Sequence, residues 1–152
     1  MTWLYVLIML VLLCGSAFFS ASEMALSSAN RMRLASAAEE GNRAAGIACK
    51  VIDKYENALS AILIGNNLCN IGSDSIVTML GMALLGERYN GLVSVLITLF
   101  MTAIIIVFCE SAPKIAAKKN ANRFSMAVAP FVRFLMIVLS PVILLVTLLI
   151  RL

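Results

Sequence analysis

From Met1 to Ser22 the chain carries no charged side chain, and Trp3 to Cys14 is almost wholly aliphatic and aromatic. Two more stretches share that character. One runs from Asn57 to Gly86 with Asp74 as its only charge, and the other runs from about Leu92 to Cys109, where Glu110 and then Pro113-Lys114 close it. A helix needs about 20 predominantly apolar residues to cross a bilayer, and each stretch supplies them. Three crossings with their loops use most of the 152 residues, which leaves one membrane module and no separate soluble domain. Composition agrees, at 62% hydrophobic and 13% charged residues against about 45–50% and about 25% in soluble domains. A water-soluble enzyme is excluded, and no nucleophile–base pair or cofactor motif points to catalysis. The small residues around Gly15–Ala17 resemble a signal-peptide cleavage site, but the basic n-region is missing, so the first stretch is expected to remain as a span.

Between Glu23 and Glu56 the chain turns to Ala, Ser, Arg, Glu and Lys, with Gly41-Asn42 as a break between two short helices. It reads as a polar helical hairpin at the membrane surface. The hairpin carries Arg31, Arg33, Arg43, Lys50 and Lys54, and the segment after the third span carries Lys114, Lys118, Lys119 and Arg123; the loop between spans two and three has Arg88 alone. By the positive-inside rule both rich segments are cytoplasmic, and span one enters from outside. The formal charge of +4 is therefore a topology signal, with no nucleic-acid partner expected. Phe134–Ile150 is apolar and just long enough to cross, yet Pro141 interrupts it and Arg133 and Arg151 bracket it; a fourth span and a kinked helix along the inner face both fit. The four cysteines are scattered without a C-x-x-C, which supports neither a disulfide framework nor a zinc site.

Polar groups inside hydrocarbon are costly without partners, so they mark function. Ser16 and Ser20 lie four residues apart on one face of span one, and Asn66 and Asn70 share that spacing in span two, with Asn67 beside them. Span three ends in Cys109-Glu110-Ser111-Ala112-Pro113. Pro113 has no N–H for the carbonyl of Cys109, which frees a backbone oxygen next to the Glu110 carboxylate. Hydroxyl, amide, carbonyl and carboxylate oxygens suit magnesium or calcium, whereas zinc or copper would call for thiolate or imidazole, and the chain has no histidine. Each group also has an ordinary reading: serines bond back to their own helix, asparagines join helices, and Glu110 pairs with Lys114 one turn on. Asp74 is expected on roughly the side of Asn66 and Asn70, either as a neutral acid or as a second negative charge for a coupling ion.

The segments Ser16-Ala-Phe-Phe-Ser20-Ala-Ser-Glu23-Met-Ala25-Leu26, Glu39-Glu40-Gly41-Asn42, Gly65-Asn66-Asn67-Leu68-Cys69-Asn70 and Glu110-Ser-Ala-Pro113-Lys114 together resemble the transmembrane module of the CorC/CNNM magnesium transporters, in the family's order and across essentially the whole chain. The resemblance implies an all-α integral membrane fold with three transmembrane helices (about 2–22, 57–86 and 92–112), a cytoplasmic hairpin over 23–56 and a kinked juxtamembrane belt helix over about 123–152. It implies a homodimer in the plasma or inner membrane with the N-terminus outside. Small residues such as Gly65, Gly72 and Ser75 are expected to serve the close packing of that dimer. The implied activity is magnesium export coupled to sodium, with the ion held inside each subunit by the Ser16 and Ser20 hydroxyls, the amide oxygen of Asn66 or Asn70, the Cys109 carbonyl and the Glu110 carboxylate. Asn67 and Asp74 are candidates for a coupling-ion or supporting role. Two departures are evident: Cys109 stands where the family usually has glycine, and Asp74 is outside the family pattern. The family also carries cytoplasmic CBS domains, absent from these residues, so the chain is expected to be part of a longer protein. A membrane anchor and dimerisation module, or a passive cation channel, are the competing functions.

Overall fold

The computed structural model describes residues 2–86 and 91–142, and every regular element among them is helical. In chain order these are α1 (Thr2–Ser28), α2 (Arg31–Glu39), α3 (Arg43–Ile52), α4 (Tyr55–Leu85), α5 (Gly91–Ile104), a π-helical stretch Ile105–Ser111, α6 (Ala112–Lys119) and α7 (Ala121–Val138). Four helical runs are long and apolar enough to cross a membrane: Thr2–Ser28, Tyr55–Leu85, Gly91–Lys119 and Ala121–Val138. Length and composition thus admit one crossing more than the three expected. The fourth, Ala121–Val138, overlaps only the start of the Phe134–Ile150 segment. A turn at Leu139 follows, two residues before Pro141, which has no N–H for the carbonyl of Ile137. The rest of the expected belt helix, 143–152, and loop residues 87–90 lie outside the described residues.

At about 1.5 Å per residue, α1 and α4 are roughly 40 and 46 Å long, more than the ~30 Å hydrocarbon core. Both helices therefore extend beyond it. The chain divides into two compact units, Met1–Ser20 with Gly65–Pro113, and Ala21–Ile64 with Lys114–Leu152.

In the first unit α1 and the body of α4 approach closely because glycines face side chains across the contact. A Cβ on Gly65 would meet the Phe19 ring at 2.5 Å, one on Gly15 would meet the Cys69 sulfur at 2.9 Å, and one on Gly72 would meet Leu12 at 3.0 Å. This corrects the expectation that Gly65 and Gly72 serve a dimer contact, since both are used inside the chain. Ser75, exposed, donates its hydroxyl to the Ile71 carbonyl of its own helix. Met9, Val77, Leu80, Gly81, Leu84, Ile97 and Met101 line an open apolar pocket of about 270 Å³.

The second unit holds the hairpin. Gly41 has φ +96°, the left-handed geometry that ends α2. Asn42 then caps α3, its Oδ1 accepting from the N–H groups of Ala44 and Ala45 at 3.0 and 3.2 Å. Asn30 caps α2 in the same way through Arg33 N–H at 3.1 Å. The hairpin is clasped by Arg31 Nε to Asp53 Oδ1 at 2.7 Å. It packs on α7 through Ala45, Ala48 and Val51 against a stripe of Ser125, Val128, Ala129 and Val132. Asn30 N–H also donates to Asn122 Oδ1 at 2.7 Å, and Lys114 Nζ lies 3.0 Å from Glu23 Oε2.

Candidate functional site

The glycines that bring α1 and α4 together stand immediately before the polar residues: Gly15 precedes Ser16 and Gly65 precedes Asn66. Short side chains can meet across a helix pair only where the backbones are this close. Ser16 Oγ lies 2.9 Å from Asn66 Oδ1 and 2.8 Å from Asn70 Oδ1. One hydroxyl carries one proton, so it serves one amide oxygen at a time and leaves the other with a lone pair directed at a third oxygen. Ser16 is 1% exposed and Asn66 8% exposed, whereas Asn70 is half-buried. One turn further along α1, Ser20 Oγ is also buried, with no hydrogen-bond partner among the described residues. A buried orphan hydroxyl next to an oxygen triad short of protons is costly as it stands, and an electropositive guest would relieve it.

The remaining expected ligands sit on another helix of the same unit. Cys109 is buried and Glu110 half-buried, both within the π-helical stretch Ile105–Ser111. Here the structure differs from the simple break expected at Pro113. The helix widens by one residue per turn, the Ala112 N–H reaching the Val107 carbonyl, and then continues to Lys119. Widening the turn ahead of the ring relieves the clash that a proline makes with the carbonyl four residues earlier. Lys114 forms an ion pair with Glu23.

Asn67 and Asp74 do not join the triad. The buried stripe of α4 runs through Ile62, Asn66, Ser73 and Val77, and both residues are exposed. Eight residues of helix turn Asp74 about 80° away from Asn66, which is why the expected shared face does not hold. Ser73, which sequence reasoning passed over, is fully buried but bonds back to the Cys69 carbonyl at 2.9 Å. Sequence reasoning also missed the glycine pairing. The available signal was the repeated Gly-polar dipeptide, Gly15-Ser16 and Gly65-Asn66.

Among the described residues no three His, Cys, Asp or Glu side chains gather to hold a metal. A cation between α1 and α4 would meet neutral oxygens, the donor type that suits a hard ion.

Residues 7–152 match the family described as the cyclin M transmembrane N-terminal domain. Among similar proteins, a UPF0053 protein of Haemophilus influenzae is 40% identical over 119 residues, covering 78% of this chain and 27% of its own length. The UPF0053 inner membrane protein YfjD of Escherichia coli is 37% identical over 119 residues, 76% of this chain and 27% of its own. A chloroplastic DUF21 domain-containing protein of Arabidopsis thaliana is 32% identical over 136 residues, 90% of this chain and 20% of its own. The chain therefore spans about a quarter of the length of these relatives. Its apolar helices make it a multi-pass membrane protein, and the match across nearly its full length shows that it belongs to the cyclin M transmembrane family.

Proposed function

We propose that this module transports magnesium outward in exchange for sodium, with the ion held inside each subunit by Ser16, Ser20, Asn66, Asn70, the Cys109 carbonyl and Glu110. The observation that carries the reading is the buried oxygen group on α1 and α4: two amide oxygens on one hydroxyl, with an unpartnered hydroxyl one turn away. An anchor has no physical reason to collect such oxygens in hydrocarbon. Turning one amide by half a turn would put an NH₂ on the Ser16 oxygen and close the triad without an ion, so a cation titration separates the two arrangements.

The rest of the arrangement follows from charge and packing. Three spans cross with the N-terminus outside, and residues 23–56 and 114–133 lie in the cytoplasm. In this reading α7 lies along the inner face, because one side of it packs on α3, which also bears exposed Arg43 and Lys50. Two copies form a two-fold dimer, and CBS domains belong to the longer protein. The direct test is magnesium flux through the purified chain in vesicles, with and without an opposing sodium gradient. Flux that requires the gradient supports the exchanger. Flux that ignores the gradient makes the module a channel, and no flux leaves the anchor.

A further inference from the structure

The ion pair between Glu23 and Lys114 is placed differently from the Arg31–Asp53 clasp. Lys114 Nζ lies 3.0 Å from Glu23 Oε2 with the side chains 27% and 28% exposed, whereas those of Arg31 and Asp53 are 58% and 47% exposed. A pair drawn this far out of water gains little stability, because lost hydration offsets most of the attraction. Its position says more. Glu23 follows Ser16 and Ser20 on α1 at spacings of seven and three residues, so the three side chains share one face of the helix. Lys114 follows Glu110 by four residues on a helix that runs unbroken from Gly91 to Lys119, which again places both on one side. The stripe that carries the hydroxyls and the stripe that carries the carboxylate are each extended by one turn, and there the two are joined. Ala21 and Ala25 of α1 and Ala117 of α6 are buried in one cluster at the same level, and such small side chains let the two backbones approach.

We propose that Glu23 and Lys114 are positioning residues that set which divalent cation the oxygen site prefers. The proposal rests on the site assigned in the functional reading above. Gly15 and Gly65 bring α1 and α4 together and so fix the Ser16 hydroxyl against the asparagine oxygens. Glu110 stands on a third helix, and the Glu23–Lys114 pair ties that helix to α1. Magnesium demands oxygens at about 2.0–2.1 Å in near-octahedral geometry, whereas calcium takes about 2.3–2.6 Å and tolerates irregular surroundings. Two stripes held together one turn away keep the shorter distances, and a loosened pair of stripes admits the larger ion. Because the two charges cancel, the role of the pair is geometric. It acts on the ion through Glu110 and the serines.

The test is calorimetric titration of magnesium and of calcium into the purified chain and into Glu23→Gln, Lys114→Gln and the double variant, with thermal midpoints measured in the absence of both ions to establish folding. Removing the negative charge of Glu23 weakens the binding of any cation, and removing the positive charge of Lys114 strengthens it. Both ions are divalent, so either effect cancels in the ratio of the two affinities. Each single variant should lower the magnesium-to-calcium ratio about tenfold, the lower end of what loss of a group supporting metal ligands costs. The double variant should lower it no further than either single, since the two residues act as one pair. Glu23→Asp keeps the charge and should retain more of the ratio than Glu23→Gln; these two variants carry the comparison should Lys114→Gln fail to fold. An unchanged ratio in folded single variants, or reductions that multiply in the double, would overturn the positioning role and leave the oxygen site standing. An unmodified chain that binds neither ion would overturn the site itself, and the positioning role with it.

Discussion

Asparagines do different work in the two units. In the hairpin, Asn30 and Asn42 stand at helix starts, where the first backbone N–H groups have no carbonyl to bond, and their side-chain oxygens accept from those groups. In α4, Asn66 and Asn70 stand in mid-helix, where every nearby N–H is already engaged, and their oxygens turn to a hydroxyl on another helix. The first pair is satisfied locally and shapes the chain. The second pair depends on two backbones being held close, and is left with more acceptors than protons.

Each prediction probes that contrast. Replacing Asn66 and Asn70 together by alanine should weaken magnesium binding by about a hundredfold, equivalent to ~2.7 kcal/mol, whereas Asn42→Ala should leave binding unchanged; titration calorimetry on the purified chain reads both. Gly65→Ala puts a methyl group into the Phe19 ring and should cost about 2 kcal/mol in stability. It should also weaken binding without touching a ligand, seen as a lower thermal midpoint together with a lower affinity. Asn42→Ala removes a helix cap and should cost about 1 kcal/mol, measurable as faster proteolysis near Gly41 with the binding isotherm intact. The smallest effect concerns the Arg31–Asp53 clasp. The hydrogen bond from Arg31 holds the Asp53 carboxyl below the usual carboxylate range, so its contribution is present at neutral pH and is lost as the pH falls through that lowered value. Both groups are open to water, so the acid-induced loosening of the hairpin should be slight, and hydrogen exchange at Asn30–Leu34 should show it disappearing in Asp53→Asn.

The hairpin was readable in the sequence because its determinants are local: Gly41 supplies a left-handed turn and Asn42 a cap, and neither needs knowledge of what packs nearby. The apolar runs were readable for the same reason, and so was the four-residue spacing that puts Ser16 with Ser20 and Asn66 with Asn70. What sequence did not reveal depends on distant partners. Gly65 and Gly72 looked free for a second subunit until Phe19 and Leu12 were seen to fill the space above them. Asp74 looked close to the asparagine face because helical spacing was followed over two turns, where an 80° drift moves a side chain from the buried stripe to the exposed one. Pro113 marked a disturbance in the helix, but a π-helical widening and a broken helix leave the same mark in sequence. The juxtamembrane helix expected from about residue 123 starts at Ala121 in the structure, as α7.

The central claim is that neutral oxygens on α1 and α4 act together with the Glu110 charge on one magnesium ion. The most direct measurement is calorimetric titration of magnesium into the purified chain and into its Glu110→Gln and Cys109→Ser variants, with circular dichroism to establish that each is folded. Glu110→Gln keeps the shape and one oxygen but removes the charge, so binding should be lost; Cys109→Ser keeps the backbone carbonyl, so binding should persist nearly unchanged. Magnesium binding that survives Glu110→Gln intact, or that Cys109→Ser alone abolishes, would contradict the account.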